Sequence, residues 1–306
     1  MRVVVVGAGV IGSVYASRIA DAGHSVDLVA RGRRYATLAD DGLRVRIGGV
    51  ASDAPVTIHR AEWGLPANAD VVIVAVRATQ LGPVFELLGG ITTSTVVFLQ
   101  HLGSHATEVA SRVERGRAVV AFPGVGGVIH DDGTVEYVEV RAQPTTVDAA
   151  ASRAAVVQEL IASTGMRTRM EQDMAGWMAT HEVFVSCLGA GILACGGDAA
   201  KLSADKDVLN LVVRAVREGF RVLTMRGISV TPPALRMLFA QMPHWFASAY
   251  WRRALRGPVG TIALAPHSRA SREDEFPALC TRVLDRANGL SAPDLTTLLT
   301  PHRIGG

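Results

Sequence analysis

Valines at positions 3 to 6 form an unbroken β-branched run, the pattern of a strand buried on both faces. Gly7, Gly9 and Gly12 break the run, and Ile11, Val14, Tyr15, Ile19 and Ala20 then recur at helical spacing until Gly23. A second buried strand follows over residues 25–29, so strand, turn, helix and strand make a parallel crossover. Apolar runs predict further strands at residues 71–76, 95–99 and 118–122, with helices at 80–88 and 105–115 between them. Short alternating runs between 125 and 146, around Asp131-Asp132-Gly133, predict a β-hairpin extending the same sheet, and residues 148–164 a further amphipathic helix. Beyond residue 173 strand signals vanish. Helices are predicted at 174–195, 206–225, 232–241 and 272–288, with Pro233, Pro243, Pro258 and Pro266 in the connections. The expected architecture is an α/β domain with a doubly wound parallel sheet over residues 1–167, and an all-α domain over 168–306.

Gly7-Ala8-Gly9-Val10-Ile11-Gly12 is a G-x-G-x-x-G pattern that follows a buried strand and opens a helix, the setting of a Rossmann dinucleotide site. Gly7 permits the tight turn, Gly9 lets backbone approach a pyrophosphate, and Gly12 lets helix pack on strand, while the helix N-terminus offers free N–H groups. The end of the second strand selects the cofactor. An acid there holds the ribose 2′-OH of NAD, whereas an arginine accommodates the 2′-phosphate of NADP. Val29-Ala30-Arg31-Gly32-Arg33-Arg34 puts Arg31 at that place, with Asp27 the only acidic rival, so NADP(H) is the expected cofactor. At least one of Arg33 and Arg34 reads as a solvated helix start.

Together these features resemble the ketopantoate reductase family, NADPH-dependent enzymes with an N-terminal Rossmann domain and a helical C-terminal domain. The resemblance extends to Ala69 through Gln80, where Arg77 stands for the family's cofactor-contacting Lys with altered geometry. It also implies a cofactor contact for Glu273, which precedes Gly289 and Pro293, and a substrate contact for Thr261 in place of a Ser. The family's Gln-Asn-Gly after the fifth strand reads Gln100-His101-Leu102. Its Trp-x-Lys helix, with Asn four and eight residues after the Lys, reads Ala179, Val183 and Cys187 when anchored on Trp177, with Cys187 at a substrate position. Hydride delivery to a carbonyl leaves an alkoxide that some group must stabilise or protonate, and Ala, Val and Cys cannot. His101, expected beside the nicotinamide unless it is a solvent-facing loop histidine, is the first candidate. Glu182 and Ser186 lie within about 60° of the altered face at 100° per residue, while His181 lies about 200° round, where packing on Trp177 competes with a proton-donor role. Gly189-Ala190-Gly191 signals a close backbone approach, by a helix or by the nicotinamide. The aromatic and cationic stretch from Met242 to Arg253 reads as cleft lining or core, and His267, Arg269 and Arg272 as candidate contacts to phosphate or an acidic substrate.

The chain has 306 residues, 49% hydrophobic and 19% charged, and a formal charge of +3 from 31 basic and 28 acidic residues. This is globular composition without the clustered basic charge of a nucleic-acid binder. Cys187, Cys195 and Cys280 have no metal-ligand spacing and an odd count, which reads as buried thiols in a cytoplasmic compartment with no metal. The early glycines argue against a signal peptide, and no run is expected to reach the roughly 20 apolar residues of a membrane span. The apolar helices of the second domain suit a monomer or a homodimer. Three readings follow: an NADPH-dependent oxidoreductase reducing a C=O or C=N bond of a small molecule other than ketopantoate, a genuine 2-dehydropantoate 2-reductase, and a catalytically silent NADP-binding sensor or scaffold.

Overall fold

The structure is a computed structural model and describes residues 1–102, 109, 112–114 and 116–304. The helix expected at residues 105–115 falls almost wholly outside those residues. The chain divides into two compact units, Met1–Gln172 and Asp173–Gly306.

In the first unit, β1 (Arg2–Val6) lies between β2 (Ser25–Ala30) and β6 (Val71–Val74), parallel to both. Their β-branched residues are buried on both faces, as a central strand covered by helices requires. With β5 (Thr57–Arg60), β7 (Thr95–Leu99), β8 (Ala118–Phe122), β11 (Thr145–Asp148) and β12 (Thr168–Glu171) they form an eight-stranded sheet ordered β12-β11-β8-β7-β6-β1-β2-β5. Only the β8–β11 pairing is antiparallel. Residues 168–171, assigned from the sequence to the helical domain, form β12 instead, and its ladder to β11 ties it to the first unit.

The hairpin expected to extend this sheet does not. β9 (Val125–Ile129) and β10 (Val135–Glu139) join β3 (Leu43–Ile47) and β4 (Val50–Ala54) in a separate four-stranded sheet ordered β4-β3-β10-β9. The β8 edge is taken by β11, and β10 uses its free edge on β3 through Val135–Val45 and Glu136–Arg46. The hairpin's apolar face covers the helix α1 (Val10–Asp21), with Gly127 so close that a Cβ there would lie 2.9 Å from Val10 Cγ1. On the same helix the buried Tyr15 hydroxyl bonds Thr145 Oγ1 at 2.6 Å and accepts from the Gly124 N–H at 3.2 Å, fixing α1 against β11 and the β8–β9 connection.

The second unit is built around the helix Met174–Ala194, capped by Asp173, whose carboxylate accepts from the Gly176 N–H. No apolar run of membrane-span length was expected, yet this helix has 21 residues and a mean hydropathy of 1.3. Its most apolar window is 83% buried within the fold, and a helix apolar all round is what a central core position demands. Lys206–Met225, His244–Arg256, Glu275–Ala287 and Pro293–Leu299 supply further helices of this unit. Pro233–Arg236 runs into a π-helical turn, Met237–Gln241.

Candidate functional site

Each glycine of the first turn has a different neighbour. Gly7 sits at φ +108, and a Cβ there would fall 2.7 Å from the Ala75 carbonyl oxygen. A Cβ on Gly12 would fall 1.8 Å from the Gly7 carbonyl oxygen, so only glycine lets α1 meet the end of β1. Gly9, the N-cap of α1, would place a Cβ with nothing within 4 Å. Its outer side is open to a ligand. No side chain caps α1 and no acid occupies its first turn, which leaves the turn's N–H groups and the positive dipole end for an anion. Ala8 is buried; its carbonyl accepts from Ser13 Oγ at 3.2 Å and from Arg34 Nε at 3.0 Å, and Arg34 also donates to the Gly133 carbonyl at 3.0 Å. Burial lowers the Arg34 pKa from its ordinary value. Arg34 is thus a strut between the glycine turn and the β9–β10 turn, while Arg33 is exposed as a solvated helix start.

Arg31 is the exposed N-cap of α2 (Gly32–Asp41) and has no hydrogen bond or ion pair through its side chain among the described residues. Asp27, its acidic rival, is buried within β2. Arg2 Nε donates to one carboxylate oxygen at 3.0 Å, and His59 Nε2 lies 2.7 Å from the other. Both oxygens are committed to joining β2 to its surroundings. Next to Ala30 in the ladder stands Arg60 at the end of β5, followed by a short 3₁₀ turn, Ala61–Trp63. That turn carries Glu62 to the start of α2, where sequence spacing did not anticipate an acid.

The connection from β1 runs to β2 on one side, and the chain later returns to β6 on the other. The carboxyl ends of β1 and β6 therefore flank a topological switch point, where open α/β sheets bind ligands. Arg77 follows β6, half-buried at the start of the 3₁₀ turn Ala78–Gln80. Gln100 and His101 follow β7. Gln100 is 7% exposed, and neither amide atom has a hydrogen-bond partner among the described residues. His101 is 9% exposed and meets the edge of the Phe122 ring at 6.1 Å and 85°, which overturns a solvent-facing loop histidine.

In the helical unit several expected site residues serve the core. Glu182 is fully buried with both carboxylate oxygens held, one by Arg282 and one by Arg286, so the expectation of a free proton donor or acceptor fails there. Cys187 was expected to face substrate, but with Ala179 and Val183 it belongs to the unit's apolar core, and burial raises its thiol pKa well above the ordinary value. Ser186 is buried, and its hydroxyl has no hydrogen-bond partner among the described residues. His181 stacks on Trp177 at 5.1 Å with 7° between the planes and tilts against Phe184 at 6.2 Å. Gly189 and Gly191 admit Phe276 and the pair Val212 and Leu202, so the close approach is helix packing. Thr261 is exposed on a π-helical turn, Val259–Leu264, and donates to the Gly257 carbonyl at 3.2 Å. Glu273 is exposed in the turn before the helix Glu275–Ala287, with Arg272 exposed beside it and His267 exposed farther back. Arg269 donates to the Gly197 carbonyl at 2.6 Å. The aromatic stretch splits: Trp251 packs on Phe239 and Phe184 in the core, while Trp245 and Tyr250 are exposed.

The family profile described as ketopantoate reductase PanE/ApbA matches residues 3–151. The 2-dehydropantoate 2-reductase of Pyrococcus horikoshii is 24% identical over 247 residues, 78% of this chain and 78% of that protein. That of Mesorhizobium japonicum is 31% identical over 128 residues, 42% of this chain and 35% of that protein. Among solved structures, the PanE/ApbA family ketopantoate reductase from Ralstonia eutropha JMP134 superposes with a TM-score of 0.77 at 19% identity, covering 99% of this chain and 98% of that one. A D-mandelate dehydrogenase solved with NADH and anilino(oxo)acetate does so with a TM-score of 0.75 at 14% identity, covering 98% and 96%.

Proposed function

Because residues 3–151 match the ketopantoate reductase family profile and 2-dehydropantoate 2-reductases are among its curated relatives, we propose that the chain is a ketopantoate reductase-like, NADP(H)-dependent oxidoreductase acting on the C=O or C=N bond of a small molecule other than ketopantoate. The observation that carries the cofactor half is the glycine turn. Gly12 is forced by packing, whereas Gly9 faces open space beside an uncapped helix N-terminus, a cradle for a pyrophosphate. Arg31, exposed and unengaged among the described residues, suits a 2′-phosphate, while Asp27 is buried within β2 with each carboxylate oxygen already paired. A bound nicotinamide supplies or accepts the hydride. Around it this chain contributes Arg77, Gln100 and His101 at the carboxyl edge of the sheet. The free amide of Gln100 has hydrogen-bond capacity to orient a carboxamide or a carbonyl. His101, buried against Phe122, polarises the reacting oxygen and holds the proton that an alkoxide takes up. Glu273 and Thr261 keep exposed polar groups for the cofactor and substrate contacts that the family implies.

Departure from ketopantoate rests on the helix Met174–Ala194. Anchored on Trp177, its family positions are the core residues Ala179, Val183 and Cys187, and its own Glu182 is sealed by arginines. The likeness to D-mandelate dehydrogenase puts aryl-substituted 2-oxo acids first among substrates to assay. The test is NADPH oxidation with ketopantoate and with a panel of 2-oxo acids, other ketones and imines. Turnover within the panel and little with ketopantoate supports the reading. Fast ketopantoate reduction makes the chain a genuine 2-dehydropantoate 2-reductase, and tight NADPH binding without turnover makes it a sensor or scaffold. His101→Ala lowers kcat by about 10²-fold or more if His101 moves the proton; unchanged turnover removes it from that role.

A further inference from the structure

We propose that Glu62 is a specificity gate at the adenosine end of the dinucleotide site, opposing Arg31, so that the chain binds both NADP(H) and NAD(H) and discriminates weakly between them. The proposal rests on the reading of the glycine turn as a nicotinamide-dinucleotide site. Its basis is the ladder between β2 and β5. Pairing of Ala30 with Arg60 sets the end of β5 directly beside the residue that precedes Arg31. The Ala61–Trp63 turn then brings the Glu62 carboxylate to 3.3 Å from Arg60 Nε, near enough to the start of α2 for the Gly32 backbone to favour its charged form. The Arg60 guanidinium is itself held over the Tyr35 ring at 5.6 Å and the Trp63 ring at 5.8 Å, and those rings meet edge-on at 6.0 Å. Arg60, Glu62 and the start of α2 are one connected group, with Trp63 72% exposed at its outer side.

The chemistry of this group cuts against a simple arginine rule. A 2′-phosphate beside Arg31 draws on the Arg60 guanidinium that Glu62 already holds, and it meets a carboxylate of its own sign. A ribose 2′-hydroxyl instead finds in Glu62 an acceptor. Hydrogen bonds from Glu62's own backbone N–H, then the Arg60 charge and bond and the Gly32 N–H, hold its carboxyl below the usual range, so it is an anion wherever the protein is folded near neutrality. Arg31 favours the phosphate and Glu62 the hydroxyl. Glu62→Gln keeps an oxygen that accepts from Arg60 Nε and removes only the charge, and the side chain is half exposed, so the variant folds as the parent does.

The experiment is calorimetric titration of the full chain, wild type, Glu62→Gln and Arg31→Ala, with NADP⁺ and NAD⁺. In Glu62→Gln the ratio of NADP⁺ to NAD⁺ affinity rises about tenfold, the scale of one like charge removed from beside a phosphate in a solvated site. In Arg31→Ala the ratio falls by a similar factor. An unchanged ratio in Glu62→Gln, with both dinucleotides bound by the wild type, overturns the gate and leaves the cofactor reading standing. Wild type that binds neither dinucleotide overturns the cofactor reading, and the gate with it.

Discussion

Adding one methyl group at Gly9 and one at Gly12 separates a binding role from a packing role. At Gly12 the new Cβ falls 1.8 Å from the Gly7 carbonyl oxygen, about half of a comfortable separation of roughly 3.5 Å. Either α1 must move away from β1 by more than an ångström or the turn must reopen, and Tyr15, hydrogen-bonded to Thr145 and Gly124, resists the first. Overpacking of ordinary cores costs about 1–3 kcal/mol, and a clash with backbone on this scale belongs at or above the upper end. About 3 kcal/mol is a large share of the 5–15 kcal/mol typical of a whole domain and corresponds to a fall in Tm of roughly 10 °C for a unit of this size. At Gly9 the backbone φ of −73 suits any L-residue and the Cβ meets nothing within 4 Å, so Gly9→Ala changes stability by no more than about 1 kcal/mol. Its methyl instead occupies the side from which a pyrophosphate approaches, and NADPH affinity falls tenfold or more, about 1.4 kcal/mol. Urea unfolding and NADPH titration on the two variants give four numbers. Undiminished NADPH affinity in Gly9→Ala refutes the placement of the pyrophosphate, and wild-type stability in Gly12→Ala refutes the packing argument.

Glu182→Gln leaves two arginines facing a neutral amide; because they are 24% and 28% exposed, water screens part of the loss, and about 3 kcal/mol of destabilisation is expected by urea unfolding. A change under about 1 kcal/mol would show the triad to be incidental. Burial pushes Tyr15 up to about 12 and the Cys280 thiol up to about 12. For both, the folded pKa lies above the unfolded value, so their contribution is complete below about pH 9 and is lost as pH rises towards 12. The urea midpoint therefore declines across that window, and Tyr15→Phe flattens the part above pH 10 while costing about 1–3 kcal/mol at neutral pH; a midpoint level to pH 11 contradicts the sign. Asp27→Asn weakens the bonds to Arg2 and His59 and lowers stability by about 1–2 kcal/mol, with no change in the ratio of NADP⁺ to NAD⁺ affinity. A shifted ratio would return the ribose to Asp27.

What could be read from the chain was whatever folds locally. Arg2–Val6, Thr95–Leu99 and Ala118–Phe122 sit where their apolar runs place them, and Lys206–Met225 where its helical period does. The glycine turn was legible for the same reason, since the atoms that exclude a Cβ at Gly12 lie within the motif itself. β3, β4 and β12 were not anticipated, because each is short, carries charged residues and gains its partner across the fold: β3 finds β10, and β12 finds β11. The site divides along the same line. Sequence marks Arg31 by its distance from the glycines along β2, but says nothing of the strand hydrogen-bonded to β2. That strand supplies His59 to occupy Asp27, the acidic rival to Arg31, and leads into Glu62 near α2, so one ladder both engages one acid and introduces another. A rule that counts positions along one strand treats cofactor choice as a property of its last residue. With Glu62 as the proposed gate, the register between β2 and β5 shares that choice between two side chains of opposite charge.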